Sequence, residues 1–239
     1  MVKAGFAGFP PEAYSFFKSL KRNNNREWFK ARKELYERHV RVPAVQLVET
    51  VNAALARFAP AYVTEPGQAI YRVYRDTRFS HDKTPYKTHV AALFRRRELE
   101  KHMSASLYVS VAPDEVEVAG GIYMPGPEQL LDVRKHLAEH HTEFRRILAR
   151  KKLRTLMGEL WGEQMSRVPK GFPSTHPAAD LLRYRQWLVY VMLDPAVALT
   201  PQFASEIIDR FRVMLPFVEF LNKPLLAGKR ARPEPVYFE

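Results

Sequence analysis

The sequence of 239 residues contains no cysteine. Disulfide bonds, thiolate metal sites and cysteine nucleophiles are therefore excluded, and a reducing compartment is the natural expectation. Nowhere do about 18 apolar residues follow one another, so no transmembrane helix is predicted. The first twenty residues have no uninterrupted apolar stretch and contain Pro10 and Pro11, unlike a signal peptide. We therefore expect a soluble, cytoplasmic protein.

Several signatures of catalysis are also missing. The sequence has no glycine-rich phosphate loop of the two common kinds and no Gly-x-Ser-x-Gly motif of a nucleophilic serine. No internal repeat or low-complexity linker divides it. We therefore predict one domain over residues 1–239, with a core at about 8–221 and a proline-rich tail at 223–239. We expect no metal site and no cofactor.

Positive charge exceeds negative charge by a wide margin. Lys and Arg together number 38 and Asp and Glu number 26, which gives a net charge of +12. Such an excess favours anionic partners, among them nucleic acid, nucleotides and acidic surfaces. Hydrophobic residues at 46% and aromatic residues at 12% are typical of a globular protein, so the charge belongs to a folded chain.

The apolar residues of the N-terminal quarter recur with a helical period. Pro10 and Pro11 suit the first turn of a short helix, and the run of three asparagines at residues 23–25 supplies an N-cap for the next one. A helical pattern then extends from Arg26 to Phe58, with a kink or break expected at Pro43.

Beyond Pro66 the period falls to two, which is typical of strands. Strands are predicted at residues 69–75, 88–95, 104–111 and 115–122, and the β-branched stretch at 186–193 predicts a fifth. Helices are expected to begin at Gly126-Pro127 and at Thr200-Pro201. This order predicts an α+β fold, with N-terminal and C-terminal helices packed on a largely antiparallel sheet of about five strands.

The stretch YRDTRFSHDKTPYKTH, residues 74–89, concentrates charge between two predicted strands. Its cations are expected to converge at one rim of the sheet. Arginine offers a planar fork of donors and lysine a point charge, which together suit an oxyanion. We therefore predict a phosphate-bearing ligand at this rim. The candidate residues are Arg75, Asp76, Arg78, Asp82, Lys83, Tyr86, Lys87 and His89.

Other interpretations of this stretch stay open. The charges can form a purely structural clamp that leaves the two lysines in water. The pairs considered for the clamp are Arg75 with Asp82 and Arg78 with Asp76. The protein can also be a metal-assisted phosphoryl-transfer enzyme or hydrolase, in which Asp76 and Asp82 hold the metal and His81, His89 or Asp82 is the general base.

Basic residues outside this stretch give two further candidates. Nucleic-acid binding through a broad basic surface would use residues 18–41, 95–97 and 145–154. A second patch consists of Lys170, His176, Arg183 and Arg185. Arg183 and Arg185 cannot share a helix face, so one is expected to face the sheet and the other solvent. His176 precedes Pro177, where capping of a helix is its expected role.

Four stretches together resemble a known family. They read NNNREWFKARKELYE, YRVYRDTRFSHDKTPYKTHVAALF, GGIYMPGPEQLLDVR and PKGFPSTHPAADLLRYRQW. They are similar to successive blocks of an uncharacterised conserved family that is known only as a domain of unknown function and occurs in bacteria and some eukaryotes. The second block carries the family's central motif, of the type YRDxRFSxDKxPYKT. The resemblance covers about residues 8–221 and implies a single, soluble domain without supplying an activity.

Overall fold

A computed structural model of the protein describes residues 5–78, 80–100 and 103–231. The N-terminal part is helical, as predicted. Pro11 opens the first helix, and the side chain of Asn25 caps the second by accepting from the amide of Trp28 at 2.9 Å. The helices are α1 (Pro11–Arg22), α2 (Arg26–Ala31), α3 (Lys33–Tyr36), a π-helical turn (Glu37–Arg41), α4 (Val42–Phe58), a 3-10 turn (Pro60–Tyr62) and α5 (Pro66–Ala69).

The break expected at Pro43 takes the form of the π-helical turn. Pro43 has no N–H and its ring excludes the carbonyl four residues earlier, so a regular α-helix cannot pass through it unchanged. The wider π-helical turn ends at Arg41, and α4 begins at Val42 with Pro43 in its first turn. A second interruption, at Arg32 (φ −123°, ψ 16°), was not predicted.

The sheet has four antiparallel strands in the order β1-β2-β3-β4. The strands are β1 (Val90–Arg95), β2 (Ser106–Val111), β3 (Val116–Ile122) and β4 (Trp187–Leu193). The α+β class and four of the five predicted strands are confirmed. The strand predicted at residues 69–75 is wrong: only isolated bridges join Ile70 to Ala92 and Tyr74 to Tyr86. Pro85, opposite this segment, has no N–H and cannot donate to a continuous ladder.

The C-terminal part is again helical. It comprises α6 (Pro127–Leu148), α7 (Lys151–Met157), α8 (Ala179–Leu182), a 3-10 turn (Pro195–Leu199) and α9 (Gln202–Ala231). The tail predicted from residue 223 is helical as far as Ala231, because α9 continues past Pro224. Residues 232–239 lie outside the described residues. Within the described part, no helix is long and apolar enough to cross a membrane.

The chain forms two compact units. The first comprises the described residues of 1–94, 108–119 and 191–212, and the second those of 95–107, 120–190 and 213–239. The single-domain prediction stays a prediction. In the first unit, Phe16, Phe29 and Tyr36 bring α1, α2 and α3 together through ring contacts of 5.3–6.1 Å.

In the second unit, aromatic rings of α6 and α9 pack face to face. Phe144 stacks on Phe217 with ring centroids 5.6 Å apart. Asn222, fully buried on α9, accepts from the amide of Ala105 at 2.9 Å and donates to its carbonyl at 2.8 Å. These two bonds satisfy a backbone pair that precedes β2 and would otherwise be buried without partners.

Gly121 provides a test of the β3–β4 packing. Its φ is +129°, and a Cβ there would lie 2.1 Å from the carbonyl oxygen of Trp187. We expect Gly121→Ala to lower the free energy of unfolding by about 3 kcal/mol or more, measured by urea denaturation. Gly67→Ala is the control, because nothing lies within 4 Å of its Cβ position. It is expected to be neutral or slightly stabilising. Equal stability of the two variants would contradict this packing.

Candidate functional site

Residues 70–75 and 85–92 run antiparallel to each other in the first unit. The amide of Arg75 donates to the carbonyl of Pro85 at 2.9 Å, and the amide of Lys87 donates to that of Val73 at 2.8 Å. The loop between them therefore leaves and rejoins the paired segments at one place. The backbone of Arg75 and that of Lys87 thus belong to the same pair of segments.

Tyr86 anchors the returning segment to the N-terminal helices. The side chain of Asn24 accepts from the amide of Tyr86 at 3.1 Å and donates to its carbonyl at 2.9 Å. The phenol ring stacks on Phe29, with centroids 4.1 Å apart and planes inclined by 15°. Tyr86 is only 4% exposed, so these contacts hold the returning segment through a largely buried side chain.

Arg75 is held by the far side of the loop. Its Nη1 donates to the carboxylate of Asp82 and, at 2.7 Å, to the hydroxyl of Thr84. Asp82 in turn accepts from the amide of Thr84 at 2.9 Å. These contacts form the first of the two ion pairs considered from the sequence.

Arg78 and Asp76 form the second ion pair. The guanidinium of Arg78 donates to both carboxylate oxygens of Asp76, at 3.0 and 2.7 Å. Arg78 is exposed, and Lys83 points back to donate to the carbonyl of Thr77 at 2.9 Å. Arg78 and Lys83 thus bind within the loop itself.

An open cavity of about 540 Å³ lies beside this loop. It brings together six of the eight predicted residues, the exceptions being Arg78 and Lys83. Its lining also includes Lys21 and Asn24, which the sequence did not indicate because they come from the end of α1 and the turn after it. The lining residues are Lys21, Asn24, Arg75, Asp76, Asp82, Thr84, Tyr86, Lys87, Thr88 and His89.

Lys87 is positioned by an aromatic ring. Its Nζ lies 4.9 Å from the centroid of the Tyr71 ring, a cation–π distance. Tyr71 packs edge-on against Tyr108 of β2, and burial raises the pKa of Tyr71 to about 12. The clamp interpretation left Lys87 in water; in the structure its ammonium also contacts an aromatic ring.

The ionisable groups of the loop have displaced pKa values. Hydrogen bonds from Arg78 lower the pKa of Asp76 to about 2, and those from Thr84 and Arg75 do the same for Asp82. Burial, together with the charges of Lys87 and Arg75, lowers the pKa of His89. At neutral pH the site therefore holds two ionised carboxylates and a neutral imidazole.

Residues 12–220 match the family described as conserved hypothetical protein (DUF2461). The chain belongs to that family. The resemblance drawn from the four sequence blocks is confirmed, and the family description carries no activity. A comparison with curated proteins found no match.

Two residues of the second patch, His176 and Arg183, make local contacts with the backbone. Nδ1 of His176 accepts from the amide of Ala178 at 3.0 Å, the capping contact expected for it. Arg183 is half-buried and donates to the carbonyl of Met165 at 2.9 Å, whereas Arg185 and Lys170 are exposed. The helix α8 ends at Leu182, before either arginine. The expectation that Arg183 and Arg185 lie on different faces of a helix therefore does not apply.

The broad basic surface is partly neutralised by carboxylates. Several of its arginines form ion pairs at 2.5–2.6 Å. These pairs are Arg96 with Glu219, Arg145 with Asp180 and Arg154 with Glu159. Each pairing reduces the positive potential that this surface offers to a nucleic-acid backbone.

Metal ligation has little geometric support within the described ranges. No group of three or more His, Asp and Glu residues there is arranged to hold a metal ion. Sequence reasoning overlooked one spacing, however. His136 and His140 are four residues apart on α6, with ring centroids 4.5 Å apart. His136 is 9% exposed and its pKa is lowered to about 4, chiefly by burial.

The two loop carboxylates should respond differently to loss of Arg78. Arg78→Gln is expected to raise the pKa of Asp76 from about 2 toward 3.8 and to leave that of Asp82 near 2, because Asp82 depends on Thr84 and Arg75. Carboxyl-carbon NMR titration measures both values. Because both pKa values are depressed by folding, these contacts are complete above pH 3.8 and are lost as the pH falls through about 2. An unchanged Asp76 would contradict the assigned pairing.

Proposed function

We propose that the cavity beside residues 75–89 binds a small phosphate-bearing molecule. The observation that supports this most strongly is the shared lining: Lys21, Arg75 and Lys87 border one cavity of about 540 Å³. Sites for small molecules commonly enclose about 300–1,000 Å³ and contain a few placed polar groups. The combination of one guanidinium fork with two ammonium groups suits the several oxygens of a phosphate.

Two of these cations are held in place before a ligand arrives. Asp82 and Thr84 fix the guanidinium of Arg75, and the ring of Tyr71 lies beneath the ammonium of Lys87. A ligand that meets ordered side chains loses less of its binding energy to side-chain ordering, about 0.5–1.5 kcal/mol for each side chain. The ion pairs of the clamp and a ligand site are therefore compatible uses of the same residues.

The cavity is also lined by two carboxylates, Asp76 and Asp82, which would repel an anion. Each of them already forms an ion pair with an arginine of the loop. Asp76 accepts two bonds from Arg78, and Asp82 accepts from Arg75 and Thr84. The ammonium of Lys21 also lies 3.3 Å from a carboxylate oxygen of Asp114, and the two side chains are 70% and 68% exposed. Such exposed pairs are weak, about 0–1 kcal/mol, and an incoming phosphate can compete for the lysine.

Removal of one lining charge tests the proposal directly. Lys87→Gln is expected to weaken binding of pyrophosphate or ATP about 10-fold to 100-fold, since a charge-assisted hydrogen bond contributes about 1.5–3 kcal/mol. Isothermal titration calorimetry measures the affinity. Lys83→Gln is the matched control, because Lys83 belongs to the same loop but is not part of the cavity lining.

The outcomes separate the competing functions. Equal loss in Lys83→Gln and Lys87→Gln would indicate attraction by overall charge and would overturn the cavity proposal. Duplex DNA serves as a second probe. If DNA binds with a steep salt dependence, log K falling by about 0.9 per phosphate neutralised, and Lys87→Gln has no effect on nucleotides, the nucleic-acid interpretation is favoured instead.

His89 reports on the ligand through its own titration. Burial, Lys87 and Arg75 all lower its pKa in the free protein. A bound phosphate places negative charge near the imidazole, so saturation with pyrophosphate should raise the pKa of His89. Histidine NMR titration in the presence and absence of pyrophosphate measures the change. A pKa of His89 that is insensitive to pyrophosphate would contradict the site.

A further inference from the structure

Arg134, on α6, is buried without a carboxylate partner. The residue is only 7% exposed. Its Nη2 donates to the carbonyl of Tyr184 at 2.9 Å and contacts the thioether of Met165 at 3.4 Å, while its Nε has no hydrogen-bond partner. Among the carboxylates that the structure describes, none forms an ion pair with it.

Two other arginines provide a comparison. Arg96 and Arg210 each form an ion pair with a carboxylate: Arg96 contacts Glu98 and Glu219, and Arg210 contacts Glu206. Among the described residues, the acceptors that Arg134 reaches are a carbonyl and a sulfur atom. A buried charge that is compensated this little is costly, and burial together with the neighbouring Arg185 lowers its pKa. The missing negative charge is what an external anion would supply.

Two more arginines, Arg183 and Arg185, flank Tyr184, whose carbonyl accepts from Arg134. An isolated bridge joins Gln164 to Tyr184, and the amide of Arg185 donates to the carbonyl of Glu163 at 2.8 Å. Nε of Arg183 donates to the carbonyl of Met165, whose sulfur contacts Arg134. Arg183 is half-buried and Arg185 is exposed, so the cluster extends from the interior to the surface.

We propose that Arg134, Arg183 and Arg185 together bind a phosphate group, at a site separate from the cavity beside residues 75–89. The guanidinium group of arginine donates several charge-assisted hydrogen bonds to the oxygens of phosphate. A phosphate has more oxygens than a carboxylate and can therefore accept from more than one arginine at a time. Arg134 supplies a charge already removed from water, and Arg185 supplies the group that a phosphate in solution meets first. All three residues lie in the second unit, so this site does not depend on the proposed function of the first.

The exposed arginine gives the cleanest test. In a buffer of low ionic strength without phosphate or sulfate, inorganic phosphate at about ten times its Kd should raise the Tm of the intact protein by roughly 3–6 °C per site. To isolate this site, all measurements use the Lys87→Gln background, in which the first cavity is impaired. Arg185→Gln is expected to abolish most of the remaining rise. Lys152→Gln, an exposed position on α7, is the charge-matched control and should keep it.

Arg134→Met provides a second readout that does not rest on ligand binding. Because the apolar side chain removes a buried, poorly compensated charge, the Tm without phosphate should rise by a few degrees, and the response to phosphate should disappear. A response that survives in both Arg134→Met and Arg185→Gln would overturn the proposal. So would an equal loss in Lys152→Gln, because it would show that phosphate acts through general screening. If Arg134→Met fails to fold, Arg185→Gln with its control decides the matter.

Discussion

The arrangement of the charged loop depends on the two hydrogen bonds between Asn24 and the backbone of Tyr86. They take the place of a neighbouring strand, because both the amide and the carbonyl of Tyr86 find a partner in one side chain. The stacked ring of Phe29 covers the same residue from α2. Because Tyr86 is fixed, the backbone of Lys87 and His89, which follow it in the chain, is held nearby. The amide of Arg75 donates to the carbonyl of Pro85, which places Arg75 beside the same segment. Leaving this backbone pair buried and unbonded would cost about 1–3 kcal/mol per group.

The loop's ion pairs act on position more than on stability. Exposed pairs such as Arg78 with Asp76 contribute little to stability, so stability alone does not explain the high charge of this loop. What they do achieve is order: Asp82 and Thr84 hold Arg75 in one orientation, and both bonds come from a single nitrogen. Arg75, held in this way, is also one of the residues that line the cavity. Structural and ligand-binding interpretations thus describe two consequences of one geometry.

Local patterns predicted the fold well, because helix caps and strand alternation are properties of neighbouring residues. The Asn25 cap and the strand β2, predicted from the alternation of its residue types, are examples. The failures have tertiary causes. The segment at residues 69–75 has the alternating pattern of a strand. Pro85, on the segment opposite, has no N–H to donate, so a continuous ladder of hydrogen bonds does not form. Within the site, the local pairs were foreseeable from their spacing, whereas Lys21 was not, since α1 reaches the cavity only through folding. Arg134 was missed for the same reason: nothing in the sequence marks its burial.

The most direct test is to locate an anion in the protein. Tungstate has the tetrahedral shape and charge of phosphate and scatters anomalously, so a crystal of the protein soaked in tungstate shows its position without ambiguity. The account predicts an anomalous peak in the cavity of about 540 Å³, within about 3 Å of the Lys87 ammonium and beside His89. An empty cavity, in a crystal where Lys87 and Arg75 are clear of neighbouring molecules and their loop is intact, would contradict the central claim.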